Sequence, residues 1–451
     1  RREIKMKKLF NERMDDFWVY PKLTKIKHTR QFDDNFFDFL KSNNEKKTET
    51  NLYVHIPYCD SSCMFCPYLK NASRSELDHY VDAVVTEIKM YARTKYFSDF
   101  PIQSVHFGGG NPLLLSIEQF KRIVDTIKEN FNIEINDNWT TEGSINCIND
   151  SEYVKGLLDL GINRVSFGIQ TFKESIRKEM RIKATLEDIY HGVDTMRAAG
   201  LTEYCIDMMY NLPNQTLDDW IRDLELVTEL QPYHIDIYNM ALFPNTKLDR
   251  LVKKGDYFTV NPSNDNQLMM FEAGDSWLKK NGYRQIITNT YSKVQKKIHR
   301  GDEVYLKNKN VIGVGVSSRG YIDGYVYKNT CSISEYFNQI NQRKFPANLS
   351  MVCTERQHND RTMVFFPILM EIKKDEIPNF DDYKDKIEQL VKDGLLKWDN
   401  DVLKLTQLGM PWSGNISSMF MDENTWRLYI STFLNALRNQ ENPYNEDKMG
   451  V

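Results

Sequence analysis

Cys59, Cys63 and Cys66 place three thiols within eight residues, spaced C-x3-C-x2-C in the run Tyr53-Val-His-Ile-Pro-Tyr-Cys-Asp-Ser-Ser-Cys-Met-Phe-Cys66. Thiolates are soft ligands for iron and zinc, and three on one short loop ask for a metal. They can hold three irons of a cubane [4Fe–4S] cluster and leave the fourth without a protein ligand. Such an iron can chelate a small molecule and pass it an electron. Zinc would want a fourth ligand and usually a second pair of knuckles, which the sequence lacks. His55, four residues before Cys59, falls in an apparent strand. Seven cysteines in 451 residues are too sparse, and odd in number, for a disulfide framework. Cys147, Cys205, Cys331 and Cys353 show no metal spacing and read as buried thiols.

His55-Ile-Pro-Tyr-Cys59, with the spacing on to Cys63 and Cys66, resembles the radical S-adenosylmethionine (SAM) superfamily. Within it, the run resembles the branch around oxygen-independent coproporphyrinogen III oxidase. The resemblance implies that the open iron binds the amino and carboxylate groups of SAM. One electron would then cleave it to methionine and a 5′-deoxyadenosyl radical.

It also implies site residues. Gly108-Gly-Gly110 ends a strand where missing β-carbons let main-chain amides approach a ligand, and the resemblance sets Gly109, Gly110 and the following Asn111 against the SAM amino group. Relatives commonly carry threonine at the Asn111 position. Glu142 and Gln170 close the next two strands and match positions that meet the ribose hydroxyls and amino-acid portion of SAM. Arg181 corresponds to an arginine on its carboxylate, and Asp207 to an aspartate of the fifth strand. The plain alternative for Asp207 is a buried carboxyl bonded to main chain. Phe65 matches an aromatic near adenine. Tyr53 and His55 flank the cluster loop and are the candidate catalytic residues.

These positions need strands that end together. Leu52, Val54 and Ile56 alternate as a strand does, and further strands read at Ile102–Phe107, Trp139–Glu142, Arg164–Ile169, Tyr204–Tyr210 and His234–Leu242. Helical spacing fills the intervals. Ser116 with Gln119 reads as a capping box, and Gly161 and Gly200 follow helices where a left-handed cap wants glycine. Six strands alternating with helices predict an α/β fold with a parallel sheet. The resemblance makes it a partial (β/α)6 radical SAM barrel, whose function gathers at the carboxyl ends of the strands.

The expected organisation is an N-terminal arm over 1–48 and the barrel over 49–245, then a connector or substrate-covering segment over 246–330. A small winged-helix-like α+β domain follows over 331–451. Aromatic and apolar positions from Phe17 to Leu40 predict an arm that packs on the body. Gly313-Val-Gly-Val-Ser-Ser-Arg-Gly320 resembles the glycine-rich segment after the barrel in the same branch, and reads as too loose for a dinucleotide fingerprint, having no preceding strand and following helix in the right order. Leu395–Trp398 and Val402–Leu405 around the Asn400-Asp401 turn predict a two-stranded wing.

A formal charge of −4, from 59 basic and 63 acidic residues, carries no basic field of the kind that binds nucleic acid. No run of about 18 apolar residues occurs, so no membrane span is expected. The basic opening lacks a following apolar segment, which argues against a signal peptide. Scattered reduced cysteines and an oxygen-sensitive cluster point to the cytoplasm.

The branch offers four activities: anaerobic heme ring opening, porphyrinogen decarboxylation, class C radical methyl transfer, and heme delivery by a chaperone. Pro67-Tyr-Leu-Lys-Asn-Ala-Ser-Arg-Ser-Glu-Leu77 and Leu405-Thr-Gln-Leu-Gly-Met-Pro-Trp-Ser-Gly-Asn415 resemble segments of the anaerobilin synthase-like, heme-opening group. That resemblance implies a [4Fe–4S] cluster, two SAM molecules (one the radical source, one the methyl source), a tetrapyrrole substrate such as heme, and a flavodoxin or ferredoxin as reductant. His79, His106, His234 and His299 are available as heme ligands, each with a structural role as the plainer reading.

Overall fold

The computed structural model describes residues 10, 13–16, 18–21, 23, 30–42, 48–68, 75–98, 101–133, 139–243, 246–254, 264–293, 298–423 and 425–427. Six parallel strands follow one another in chain order: β1 (Thr50–Ile56), β2 (Ile102–Gly109), β3 (Trp139–Gly143), β4 (Arg164–Gln170), β5 (Glu203–Tyr210) and β6 (His234–Asn239). Helices Leu77–Ala92, Ile117–Asn130, Ser151–Leu160, Leu186–Ala199 and Leu217–Glu229 connect them. Capping boxes open three of these helices, at Ser116, Thr185 and Thr216. Gly161 and Gly200 close two of them at φ 92, a left-handed conformation that costs glycine little. Leu52, Val54 and Ile56 are fully buried on the helix side of β1, and Tyr53 and His55 point the other way, as strand alternation requires.

The remaining strands lengthen this sheet at both ends. β7 (Arg284–Gln285) and β8 (Thr290–Ser292) add antiparallel beyond β6, while β9 (Asn310–Val314) lies parallel against β1. β10 (Arg319–Ile322), β11 (Tyr325–Asn329) and β12 (Ala347–Val352) continue antiparallel, in the order β12-β11-β10-β9-β1-β2-β3-β4-β5-β6-β8-β7. That order has two ends, so among the described residues the barrel is open.

Two expectations change here. Residues 246–330 are no simple connector, because their described part supplies five strands of the main sheet. A boundary between 330 and 331 would separate β11 from β12, which pair along their lengths. The glycine-rich Gly313–Gly320 segment begins inside β9, whose pairing partner β1 lies far earlier in the chain, and runs into a second strand, β10, with no helix between them, so it is no dinucleotide fold.

The C-terminal unit holds the wing as expected, β14 (Leu396–Asp399) and β15 (Val402–Leu405) around Asn400, plus β13 (Glu371–Lys373) on the far edge of β15. The arm packs on the body: Tyr20, Phe36 and Leu40 are buried, and the Tyr20 carbonyl accepts from the buried Arg361 guanidinium. Phe17 lies outside the described residues. No helix among the described residues is long and apolar enough to cross a membrane.

Candidate active site at the carboxyl ends of the strands

The cysteine loop leaves β1 directly after Ile56 and is tied at three points. The amides of Gly110 and Asn111 bond the carbonyls of Ile56 (2.8 Å) and Tyr58 (2.7 Å), and Met64 bonds Met180 (3.0 Å) while accepting from Leu248 (3.0 Å). A β-carbon on Gly110 would lie 2.5 Å from the Tyr58 carbonyl oxygen, so glycine is required for the loop to seat. The amides of Gly110 and Asn111 are therefore used on the cluster loop itself. Cys59, Cys63 and Cys66 are unbridged and half-buried on this loop.

Inside the sheet a polar lumen gathers side chains from every strand. The Tyr53 hydroxyl lies 3.1 Å from Nδ1 of His55 and its ring stacks on His106. His106 Nε2 meets Glu142 Oε1 at 2.8 Å, and His299 beside it faces Asp302 at 3.5 Å. Arg164 donates to Thr140 (3.4 Å) and lies 3.2 Å from Nδ1 of His234. Ser166 donates to Asp207 (3.4 Å), and Tyr238 donates to Asp236 (3.2 Å). The Cys205 sulfur and carboxylate oxygens of Asp207 and Asp236 all lie within 4.8 Å of one another.

Burial sets the charge states. It lowers His55 to about 4 against the pull of Glu142, so this imidazole is neutral at neutral pH. Burial pushes Glu142 up, but His106 pulls it below the ordinary carboxylate range. Asp236 rises to about 6 through burial, and Asp207 stands well above its usual value because burial, Asp236 and Glu142 all oppose its charge. Burial and Asp236 likewise hold the Cys205 thiol well up.

A profile of the radical SAM superfamily matches residues 53–227. Residues 53–227 are a radical SAM domain.

Beyond that domain the chain is 25% identical to the heme chaperone HemW of Lactococcus lactis over 82% of this chain and 96% of that protein. It is 27% identical to the anaerobilin synthase of Escherichia coli O157:H7 over 81% of this chain and 82% of that protein. With the oxygen-independent coproporphyrinogen III oxidase of Synechocystis it shares 26% over 91% of this chain and 93% of that protein. The solved structure of coproporphyrinogen III oxidase (HemN) from Escherichia coli has the same fold, with a TM-score of 0.76 at 22% identity over 92% of this chain and 98% of that one.

A radical SAM domain implies a [4Fe–4S] cluster and SAM, and the residues fit that demand. Three unbridged thiols share one braced loop. The buried Nε2 of His55 has no partner, and the ring lies against Gly109, where φ is 113 and a β-carbon would come within 2.7 Å of it. His55 is thus turned toward the glycine segment and Tyr53.

The structure brings Tyr53, His55, Glu142 and Asp207 into one lumen. Gln170 stands at its rim at φ 68, its amide folded over Gly168. Three expected residues lie outside this hydrogen-bonded lumen network. Asn111 is buried and spent within the protein, donating to Asp60 (3.3 Å) and Cys147 (3.4 Å) and accepting from Ser144 (3.1 Å). Phe65 packs on the apolar group of Met64, Ile176 and Met180. Arg181 is exposed, and the neighbouring Lys183 makes the ion pair to Asp60 of the cluster loop.

His106, Arg164, Cys205, Asp236, Tyr238 and Asp302 are lumen residues that sequence reasoning did not single out as a group. The available signal was polar residues at i, i+2 on otherwise apolar strands: Cys205 with Asp207, and His234, Asp236 and Tyr238. Of the four histidines, His106, His234 and His299 face the lumen network, whereas His79 packs on Phe337.

Proposed function

We propose that this radical SAM chain acts on a tetrapyrrole and that its reaction is anaerobic opening of the heme ring, with methyl transfer and release of iron. The observation that carries the reading is a lumen into which all six parallel strands present polar or titratable side chains, with the cysteine loop leaving the carboxyl end of β1. The relatives named above are a heme chaperone, an anaerobilin synthase and coproporphyrinogen III oxidases. The Leu405–Asn415 segment, whose sequence resembles the heme-opening group, also holds the arm, with Ser413 bonded to Asp16 and Asn415 to Met14. The arm in turn reaches Asn239 at the end of β6.

In this reading Cys59, Cys63 and Cys66 hold the cluster. When bound, cluster and SAM together supply one electron and a hydrogen-abstracting carbon radical. Glu142, ionised, accepts from ribose hydroxyls; Gln170 and the Gly109–Gly110 segment frame the amino-acid portion; Arg181 reaches the SAM carboxylate from the rim. Neutral His55, held by Tyr53 and carrying its proton on Nε2, offers a donor toward the glycine segment. The Asp207–Asp236 pair holds one proton at neutral pH and can deliver it to substrate. Positioning decides reaction, because only a substrate atom beside the radical is attacked. A second SAM as methyl donor and a flavodoxin or ferredoxin as reductant belong to the same proposal.

The test is an anaerobic incubation of reduced protein with heme and excess SAM. Loss of the Soret band with an open-chain, methyl-bearing product supports the reading. Unchanged heme alongside decarboxylated coproporphyrinogen III moves the assignment to a dehydrogenase. The match to the heme chaperone favours a second reading, a heme carrier, which heme binding without substrate-dependent 5′-deoxyadenosine would establish.

A further inference from the structure

β9, β10 and β11 carry the sheet past β1, and two cations stand on their lumen face. β9 is parallel to β1, with Tyr53 opposite Gly313. A β-carbon on Gly313 would fall 2.0 Å from the carbonyl oxygen of Arg319, so glycine there lets the start of β10 fold in beside Tyr53. Arg319 pairs across the ladder with Lys328, which sets their side chains on one face. That face is the lumen face. The flanking Tyr327 and Asn329 point the other way, Tyr327 to the Gly313 amide (3.1 Å) and Asn329 to the buried Glu87 (2.7 Å). Register sets both cations level with Tyr53: β10 runs antiparallel to β9 with Tyr321 opposite Val311, which brings Arg319 beside Gly313 and its pair Lys328 one strand further out. Lys328 is 3% exposed and its charge opposes protonation of His55, which marks its nearness to the lumen; Arg319 is half-buried.

Resting on the tetrapyrrole reading above, we infer that Arg319 and Lys328 form the edge of the lumen that binds the substrate's propionate carboxylates. A planar guanidinium receives a carboxylate bidentately, and a second cation in a sheltered site strengthens that attraction. The acidic residues of the lumen lie on the other flank, from Glu142 on β3 to Asp236 on β6. A substrate carrying carboxylates on one edge is therefore seated in one direction, with that edge at β10 and β11 and its ring carbons toward the lumen.

The test is an absorbance titration of reconstituted protein with heme and with heme dimethyl ester, whose propionates carry no charge. Wild type should bind heme about 10- to 100-fold more tightly than the ester, and Arg319→Ala with Lys328→Met should bind both equally and weakly. Arg319→Lys, which keeps the charge, should recover part of the discrimination, and unchanged iron content guards against misfolding. Equal affinity of wild type for heme and ester, or discrimination surviving in the double variant, overturns the inference alone. Wild type that binds no tetrapyrrole overturns the tetrapyrrole reading beneath it.

Discussion

Nε2 of His106 on β2 lies 2.8 Å from Oε1 of Glu142 on β3, a contact between neighbouring parallel strands just below the cysteine loop. Burial alone would push this carboxyl up, and His106 reverses the shift. The pair's contribution is therefore present above the ordinary glutamate value and lost as pH falls through the lower folded one. His106→Ala should move the acid limb of SAM cleavage to higher pH. Glu142→Gln should weaken SAM binding by roughly 10-fold or more, because a hydrogen bond to a charged group is worth about 1.5–3 kcal/mol. An acid limb unmoved in His106→Ala would refute the pairing as the cause.

Asp236 titrates at about 6 and burial, Asp236 and Glu142 hold Asp207 well above its usual value, so ionising the pair is harder in the fold than in the unfolded chain. For raised carboxyls the sign runs the other way: stability is full at low pH and lost as pH rises from the ordinary aspartate value through the folded ones. Asp236→Asn should raise the melting temperature relative to wild type near about pH 8, and change it little near about pH 4. Thermal melts of both proteins across that range check it. A difference that does not grow with pH counts against a shared proton.

Asn111 ties Asp60 of the cluster loop to the Ser144 amide after β3. Asn111→Ala takes the side-chain acceptor from the Ser144 amide and one donor from Asp60, and should cost about 1–3 kcal/mol in denaturant titrations of the apo-protein. The loosened loop should also retain less iron after reconstitution. Wild-type stability together with wild-type iron would show that this bridge is dispensable.

Cys59→Ala, Cys63→Ala and Cys66→Ala should each abolish the iron–sulfur absorbance and SAM cleavage. Cys331→Ala, whose thiol reaches only the Ser317 hydroxyl at 3.6 Å, should retain both. Iron and sulfide analysis after anaerobic reconstitution reads the result. Stoichiometric zinc in place of iron would overturn the cluster assignment.

By itself the sequence determined the cysteine loop and the run of six strands and helices, because both are written in short spacings. A cluster loop needs its ligands a few residues apart, and a strand or helix shows its period within a dozen residues. Capping boxes and cap glycines were legible for the same reason. The tertiary structure decided what meets what. The ladder between β1 and β9 joins residues more than 250 apart, so no local pattern announces that Gly313 lies beside Tyr53 or that Arg319 and Lys328 share the lumen face. Asn111 sits in a motif whose spacing suggests a ligand contact, yet folding turned its amide inward to Asp60, Cys147 and Ser144. His106 and Asp236 look like ordinary strand residues until Glu142 and Asp207 stand beside them. Burial then sets which carboxyl keeps its proton, and burial is a property of the assembled sheet and helices, not of any single stretch of chain.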